Sequence, residues 1–564
     1  MRFDLEKYHR TRQVSPFRIV LILLVVNLFL GLLVLAFPTG ERWFGEHFKL
    51  QFVSGSDLFH ANEERYVDLD TVLSGLNLEG DTSSFDQEII AEADSLITEP
   101  ELEKRIQYNG DSTALNTFFK ALWALESGEP ELFRILHYGD SQLEGDRISD
   151  YLRNKLQLRF GGKGPGIVLP IDVSRSRLSV LQSESRDWKK YAIYGKTRHP
   201  KGWYGIGGSS YEYTGAVPVK VAEDTIIKKV FDSLVPLKST VKTLKKDTFL
   251  SDSAMVEVKM VPFDSSAFHF DTVYKPIYEK RLVESSWLRY RCARGSYPLV
   301  RTFNRVELMY SAVDSCLLTV KVDSLVKRFK IGPTNGVRKL VLHTGMVGEE
   351  VKLNFTGFSP TIYGVFLDGQ QGIAVDNFPM RGSSGTGFSS IRRDYYTSQL
   401  KQAGVKLIVM QYGINVVPNP VKNYDFYERM FLAELKAIRA AYPDVSILVI
   451  GPSDMSRKRG GVYESYPNVT KIRDAMRNAA FASDCAFWDL YAAMGGENSM
   501  ISWVENSPSL ASKDYTHFNI RGARFVGEMF YDALLSSYID WKKRTLVPAS
   551  DQKVGVPLKS KNAS

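Results

Sequence analysis

Ser141 closes the triplet Gly139-Asp140-Ser141. It follows the apolar run Leu132-Phe-Arg-Ile-Leu-His-Tyr138 and precedes a segment, about Arg147 to Leu158, that reads as a helix. A serine in that place lies at the C-terminal end of a strand, where open α/β sheets put their sites. A hydroxyl becomes a useful nucleophile only with a base to take its proton, a group to orient that base, and donors for the oxyanion. The chain has eight histidines, and one of them, His517, stands in Asp514-Tyr-Thr-His517 near the C-terminal end. The spacing of three lets Asp514 fold back onto the ring nitrogen that faces away from the serine. There it fixes the tautomer and stabilises the imidazolium as the proton arrives. Each motif also has a plainer reading: Gly-Asp-Ser as a turn, and Asp-x-x-His as a capped loop before a helix.

Two further blocks offer oxyanion donors. Gln411-Tyr-Gly413-Ile-Asn415 ends a buried strand, and the Asn415 side-chain amide can donate; Pro418 and Asn419 also permit a simple turn. Met380-Arg-Gly382-Ser-Ser-Gly385-Thr-Gly387 is a glycine-rich loop able to lend backbone N–H groups. It lacks the Lys-[Ser/Thr] of a phosphate-binding P-loop. No Cys/His cluster has zinc-ligand spacing, so neither a metal nor another cofactor is expected.

The order of these blocks is more specific than any one of them. Gly-Asp-Ser, a glycine loop, Gly-x-Asn and a late Asp-x-x-His resembles the SGNH hydrolases, the GDSL esterase/lipase family, over about 130–168 and 375–535. The resemblance implies a three-layer α/β fold around a parallel sheet. It assigns Ser141 as nucleophile, His517 as base and Asp514 as the acid. Ser141, Gly385 and Asn415 form the oxyanion hole, with Gly382 as the competing glycine. Val416 departs from the aspartate that often follows the family's asparagine; what is lost is a structural partner.

Between the serine block and the glycine loop the character changes. Strand-like runs (Ala254–Val261, Val306–Ser311, Cys316–Val322, Lys339–His343, Val351–Phe355, Ile362–Leu367) alternate with turns, which suggests a β-sandwich. Beyond 395 buried strands Val405–Gln411 and Val445–Ile450 alternate with helices near Tyr424–Ala441 and Lys471–Ala482, the α/β pattern. The expected organisation is a cytoplasmic N-terminus 1–18, a transmembrane anchor 19–37 and a linker 38–112 with a short helix near Gln87–Leu96. The catalytic domain is then expected in two segments, 113–169 and 371–541. An inserted all-β sandwich, 170–370, separates them, and a basic tail, 542–564, follows. The insert holds His269 and His343 but no nucleophile–base motif. Its position is similar to that of the carbohydrate-binding-like sandwich in bacterial peptidoglycan O-acetylesterases. That similarity implies an O-acetylated cell-envelope glycan as substrate.

Ile19–Phe37 is a run of 19 residues without a charge and with one polar residue, Asn27. As a helix it measures roughly 28 Å, near the thickness of a bilayer core. Basic residues precede it and no small-x-small cleavage site follows. An uncleaved anchor with the remainder exported is therefore expected, in a bacterial inner membrane with the catalytic domain in the periplasm or outside the cell. The formal charge of +8 resides in the two ends. Arg2, Lys7, Arg10, Arg12 and Arg18 oppose Asp4 and Glu6 at one, and six Lys/Arg oppose Asp551 in 541–564 at the other. The stretch between is formally neutral, which argues against a nucleic-acid-binding protein, whose folded part should carry a basic stripe. Cys292 and Cys316 are open to pairing or to remaining free thiols, as is Cys485 to staying unpaired. The expected partners are thus an O-acetylated glycan and the membrane. Two rivals stand beside ester hydrolysis. One is an O-acetyltransferase using the same triad with a membrane acyl-donor partner; the other is a catalytically silent glycan-binding protein.

Overall fold

The structure is a computed structural model. It describes residues 16–36, 41–44, 48–51, 67–74, 76, 104–110, 113–172, 174–231, 268–282 and 285–546. The readings of a helix at 87–96, of a strand at 254–261 and of the tail beyond 546 lie outside the described residues, as do residues 1–15.

Five parallel strands form the central sheet, in the order Gly372–Pro379, Leu132–Gly139, Val405–Gln411, Ser446–Ile450, Ala486–Trp488. These strands are largely apolar because both faces are covered. Alternate side chains go to opposite layers. Ile135, Val375, Leu407 and Leu448 pack with helices Asn116–Glu126, Ser149–Phe160 and Ile520–Leu546. Leu136, Phe378, Ile408 and Val449 pack with helices Arg393–Ala403, Asp425–Ala441 and Val469–Phe481. The register aligns Gly139 with Pro379 on one side and Gln411 on the other. The loops that follow these three strands carry Ser141, Gly382 and Asn415, so they emerge from one edge of the sheet at one level.

Residues 180–368 supply two antiparallel sheets packed on a shared apolar core. One has the order Leu325–Ile331, Cys316–Val322, Glu350–Gly357, Ser286–Cys292, Val180–Glu184. The other runs Arg338–Gly348, Phe303–Ser311, Thr361–Asp368, Ser209–Tyr213, Trp188–Ala192. Gly166–Val168, expected in the catalytic domain, pairs with Thr361–Asp368 of this second sheet. Ala216–Phe231 pairs antiparallel with Phe268–Leu282. Cys292 and Cys316 are free and buried. The strand Glu350–Gly357 lies between theirs; Cys316 pairs with Gly357 at one end of it, and Arg291, next to Cys292, pairs with Glu350 at the other. That separation is far beyond disulfide reach.

A piece of the expected linker belongs to the core. Gln107 exchanges two backbone hydrogen bonds with Phe487, 2.7 and 2.9 Å, and so covers the edge strand Ala486–Trp488. Ile106 and Leu69 are buried against the same helices as the rest of that layer. Pairing an exposed sheet edge removes its unsatisfied N–H and C=O groups.

Pro16–Ala36 is one helix of 21 residues. Its described side chains are exposed, among them Leu24, Leu28 and Phe29. Among the residues whose side chains are described, no helix is long and apolar enough to cross a membrane.

Candidate active site

Gly139 ends its strand where a side chain does not fit: a Cβ would lie 2.8 Å from the Gln411 carbonyl oxygen and 2.7 Å from Leu143. The chain then turns sharply into a short 3-10 segment, Ser141–Asp146, capped by the Asp140 carboxylate, which accepts the Gln142 N–H at 3.0 Å. Asp140 is buried, and burial pushes its pKa up to about 7 against the opposing effect of that hydrogen bond. Ser141 is left half-buried at the sheet edge, its hydroxyl 2.8 Å from His517 Nε2.

His517 sits on the loop before the helix Ile520–Leu546. Its Nδ1 lies 2.7 Å from Asp514 Oδ2, while Asp514 Oδ1 accepts the backbone N–H groups of Thr516 and His517, each at 3.0 Å. Burial alone would raise the Asp514 pKa, but those hydrogen bonds and the imidazole outweigh it and hold the carboxylate below its ordinary value. An ionised Asp514 accepts from Nδ1–H. Nε2 is then the lone-pair nitrogen, and the Ser141 hydroxyl donates to it. Tyr515, inside this loop, has φ +54° and stacks on Tyr463 with ring centroids 3.6 Å apart. The pairing holds the chain in a conformation that non-glycine residues seldom adopt.

The candidate oxyanion donors differ in what their N–H groups already do. Gly385 N–H donates to Ser383 Oγ at 3.2 Å, and a Cβ on Gly385 would sit 2.7 Å from Phe431. A Cβ on that glycine would therefore point into the core. Gly382, the competing glycine, is exposed with φ +76° and nothing within 4 Å of a Cβ position. Neither its N–H nor that of Ser141 donates to a protein acceptor among the described residues. Asn415 Nδ2 donates one hydrogen to the Ser383 carbonyl at 3.0 Å, which anchors it to the glycine loop and leaves a second hydrogen.

Two residues that sequence reasoning missed hold the loops together. Gln142 Nε2 donates to the Thr516 carbonyl at 2.7 Å and to Ser453 Oγ at 3.2 Å, and its Oε1 accepts the Phe518 N–H at 3.3 Å. Arg147 donates to the carbonyls of Ser141 at 2.9 Å and Phe518 at 2.7 Å. The only signal in the sequence is their closeness to Ser141. His137 lies beneath on the same strand; burial lowers its pKa to about 4, so it is neutral and buried away from the Ser141–His517 pair.

The sandwich also reaches this turn. Leu178 N–H donates to the Gly145 carbonyl at 2.9 Å, and Ser179 Oγ donates to Asp146 Oδ2 at 2.6 Å. Asp146 is further paired with Arg153 at 2.9 Å and Arg177 at 3.4 Å. A second buried junction pairs Arg134 with Asp376 at 2.9 Å and with Asp368 at the end of a sandwich strand. No group of three or more metal-ligating side chains occurs among the described residues.

No protein-family model matches the chain, and no curated protein sequence does. Solved structures do. A peptidoglycan O-acetylesterase structure is similar with a TM-score of 0.54 at 21% identity, covering 77% of this chain and 99% of that one. A family two carbohydrate esterase from Clostridium thermocellum reaches a TM-score of 0.20 at 10% identity, over 46% of this chain and 93% of its own. An acetyl xylan esterase reaches 0.23 at 16% identity, over 29% of this chain and 81% of its own. The chain shares the fold of the peptidoglycan O-acetylesterase structure over most of its length.

Proposed function

We propose that the chain is a serine esterase that removes O-acetyl groups from a cell-envelope polysaccharide, peptidoglycan being the first candidate. The observation that carries this reading is the hydrogen-bond chain from the Ser141 hydroxyl through His517 to Asp514, set at the aligned ends of three parallel strands. Ser141 Oγ attacks the acetyl carbonyl while His517 Nε2 takes its proton. The oxyanion is met by the N–H groups of Ser141 and Gly382 and by the second Asn415 amide hydrogen. His517 returns the proton to the departing sugar oxygen, and a water activated by the same imidazole clears the acetyl-enzyme to acetate. The fold shared with a peptidoglycan O-acetylesterase supports the substrate class.

In this reading the uncharged run Ile19–Phe37 is the anchor, with the catalytic domain exported. The support is in the sequence: 19 residues that as a helix would span about 28 Å, with Arg18 and the basic residues before it on the expected cytoplasmic side. An alkaline phosphatase fused after residue 546 should be active in intact bacteria; an inactive fusion would reverse the orientation.

The purified chain should release acetate from an activated aryl acetate and from O-acetylated peptidoglycan. Transfer of acetyl to a sugar acceptor in place of release would make it an acetyltransferase. No turnover of any acetyl ester would leave only a glycan-binding role.

A further inference from the structure

A cavity of about 430 Å³ opens between the turn that carries Ser141 and the sandwich. Glu144 and Gly145 of that turn line one side, Arg381 beside Gly382 another, and Lys190, Tyr194 and Lys196 of the sandwich the third. Its charges are unevenly spent. Arg381 is paired with Glu144. Asp146 is taken by Arg153 and Arg177, and Arg177 also donates to Ser179 Oγ at 2.9 Å and to the carbonyls of Ile167 and Pro165 at 3.2 and 2.8 Å. Asp172 accepts from the Ser174 N–H at 3.0 Å and hydroxyl at 2.9 Å.

Lys190 is different. It is half-buried on the strand Trp188–Ala192 and gives one hydrogen to the Tyr194 hydroxyl at 3.1 Å. No carboxylate lies within ion-pair distance of it among the described residues. Burial opposes its charge, but Tyr211, Tyr194 and Asp172 outweigh burial and hold its pKa above the ordinary lysine value, so it is charged at neutral pH. Its ammonium also lies 5.4 Å from the Tyr194 ring centroid, and its other two hydrogens have no acceptor among the described residues; Lys196 adds a second cation at the exposed rim. A partly desolvated cation without a partner favours an anionic ligand.

We infer that this cavity is a subsite for a carboxylate-bearing sugar of the glycan, gripped by Lys190 and Lys196 while the neighbouring sugar presents its ester to Ser141. The second half of that statement rests on the esterase reading; the binding of the acidic sugar does not. Two sources share the carboxylate, a uronic acid and a sugar with an ether-linked carboxylic acid.

Direct calorimetry on the full chain in detergent separates them. Trigalacturonate, a muramyl disaccharide with a free carboxylate, and neutral xylotriose are titrated into the wild type, Lys190→Met and Lys190→Arg. One acidic sugar should bind at least roughly 10-fold tighter than xylotriose, the scale of a charge-assisted hydrogen bond. Lys190→Met should lose that margin, and Lys190→Arg, which keeps the charge, should retain most of it. Equal affinity for acidic and neutral sugars, no binding of either, or an unchanged margin in Lys190→Met would overturn the subsite. Aryl acetate turnover by the wild type is read separately: its absence sinks the esterase reading and leaves the binding result standing.

Discussion

The Gln142 side-chain amide donates to the Thr516 carbonyl at 2.7 Å and so ties the residue after Ser141 to the residue before His517. The Phe518 N–H returns the contact at 3.3 Å. The Ser141–His517 distance is thereby fixed by a buried side chain that takes no part in the chemistry. Gln142→Leu should leave a buried carbonyl and N–H without partners, at about 1–3 kcal/mol each. The variant should melt lower, and kcat on an aryl acetate should fall by roughly 10²-fold with KM changed far less, the scale of a 1 Å misplacement. Wild-type kcat in a destabilised Gln142→Leu would show that the loops hold their geometry without it.

The two glycines of the loop should respond differently to alanine. Gly385→Ala pushes a Cβ to within 2.7 Å of Phe431 and 2.9 Å of Tyr412, so the melting temperature should drop while folded protein retains its turnover. Gly382→Ala meets no neighbour but strains a backbone at φ +76°, at a cost of roughly 1–2 kcal/mol. It should lower kcat by shifting the N–H. Asn415→Ala should lower kcat by about 10²–10³-fold, the range for one oxyanion donor. Steady-state kinetics beside thermal melts read both effects; the reverse pattern for the glycines would return the donor role to Gly385.

Asp140 gives stability a pH dependence. Its folded pKa is pushed up to about 7 by burial, against an unfolded value near ~3.9. Between those values the folded state holds the proton more tightly, so stability falls as pH rises from about 4 to about 7. Asp140→Asn keeps an oxygen for the Gln142 N–H and has no proton to lose. The melting temperature of the wild type should therefore decline more steeply over that window than that of the variant. Parallel slopes would show that Asp140 is ionised throughout.

Arg134 joins the central sheet to the sandwich through Asp376 and Asp368, with all three side chains buried. Arg134→Met should cost about 3–5 kcal/mol, because it strands two buried carboxylates. Adding Asp368→Asn and Asp376→Asn should recover some of the loss. A triple variant no more stable than Arg134→Met would mean that packing of the guanidinium on Phe366 matters more than its charge.

What the sequence makes legible is what short-range patterning controls. Val405–Gln411 and Cys316–Val322 form strands over the residues their apolar runs delimit. The helix at Asp425–Ala441 follows its amphipathic repeat. Asp514 and His517 are readable because they stand three positions apart in the chain. The rest depends on distant partners. Gln142 acts on groups more than 370 residues away. The choice between Gly382 and Gly385 turns on Phe431, Tyr412 and the Ser383 hydroxyl, none of which a glycine-rich loop announces. Ile106-Gln107 reads as linker because only the exposed edge of Ala486–Trp488 gives it a place.

The central claim is that Ser141 is the nucleophile. Its most direct test is acetate release from an aryl acetate by wild type and Ser141→Ala at matched melting temperature, with the acyl-enzyme sought by mass spectrometry of a quenched reaction. Wild type should carry one acetyl group, a gain of about 42 Da by composition, on the peptide containing Ser141. Ser141→Ala should neither carry that acetyl nor turn over the ester, since losing a triad member costs about 10⁶-fold. Acetate release by Ser141→Ala at the wild-type rate would contradict the account.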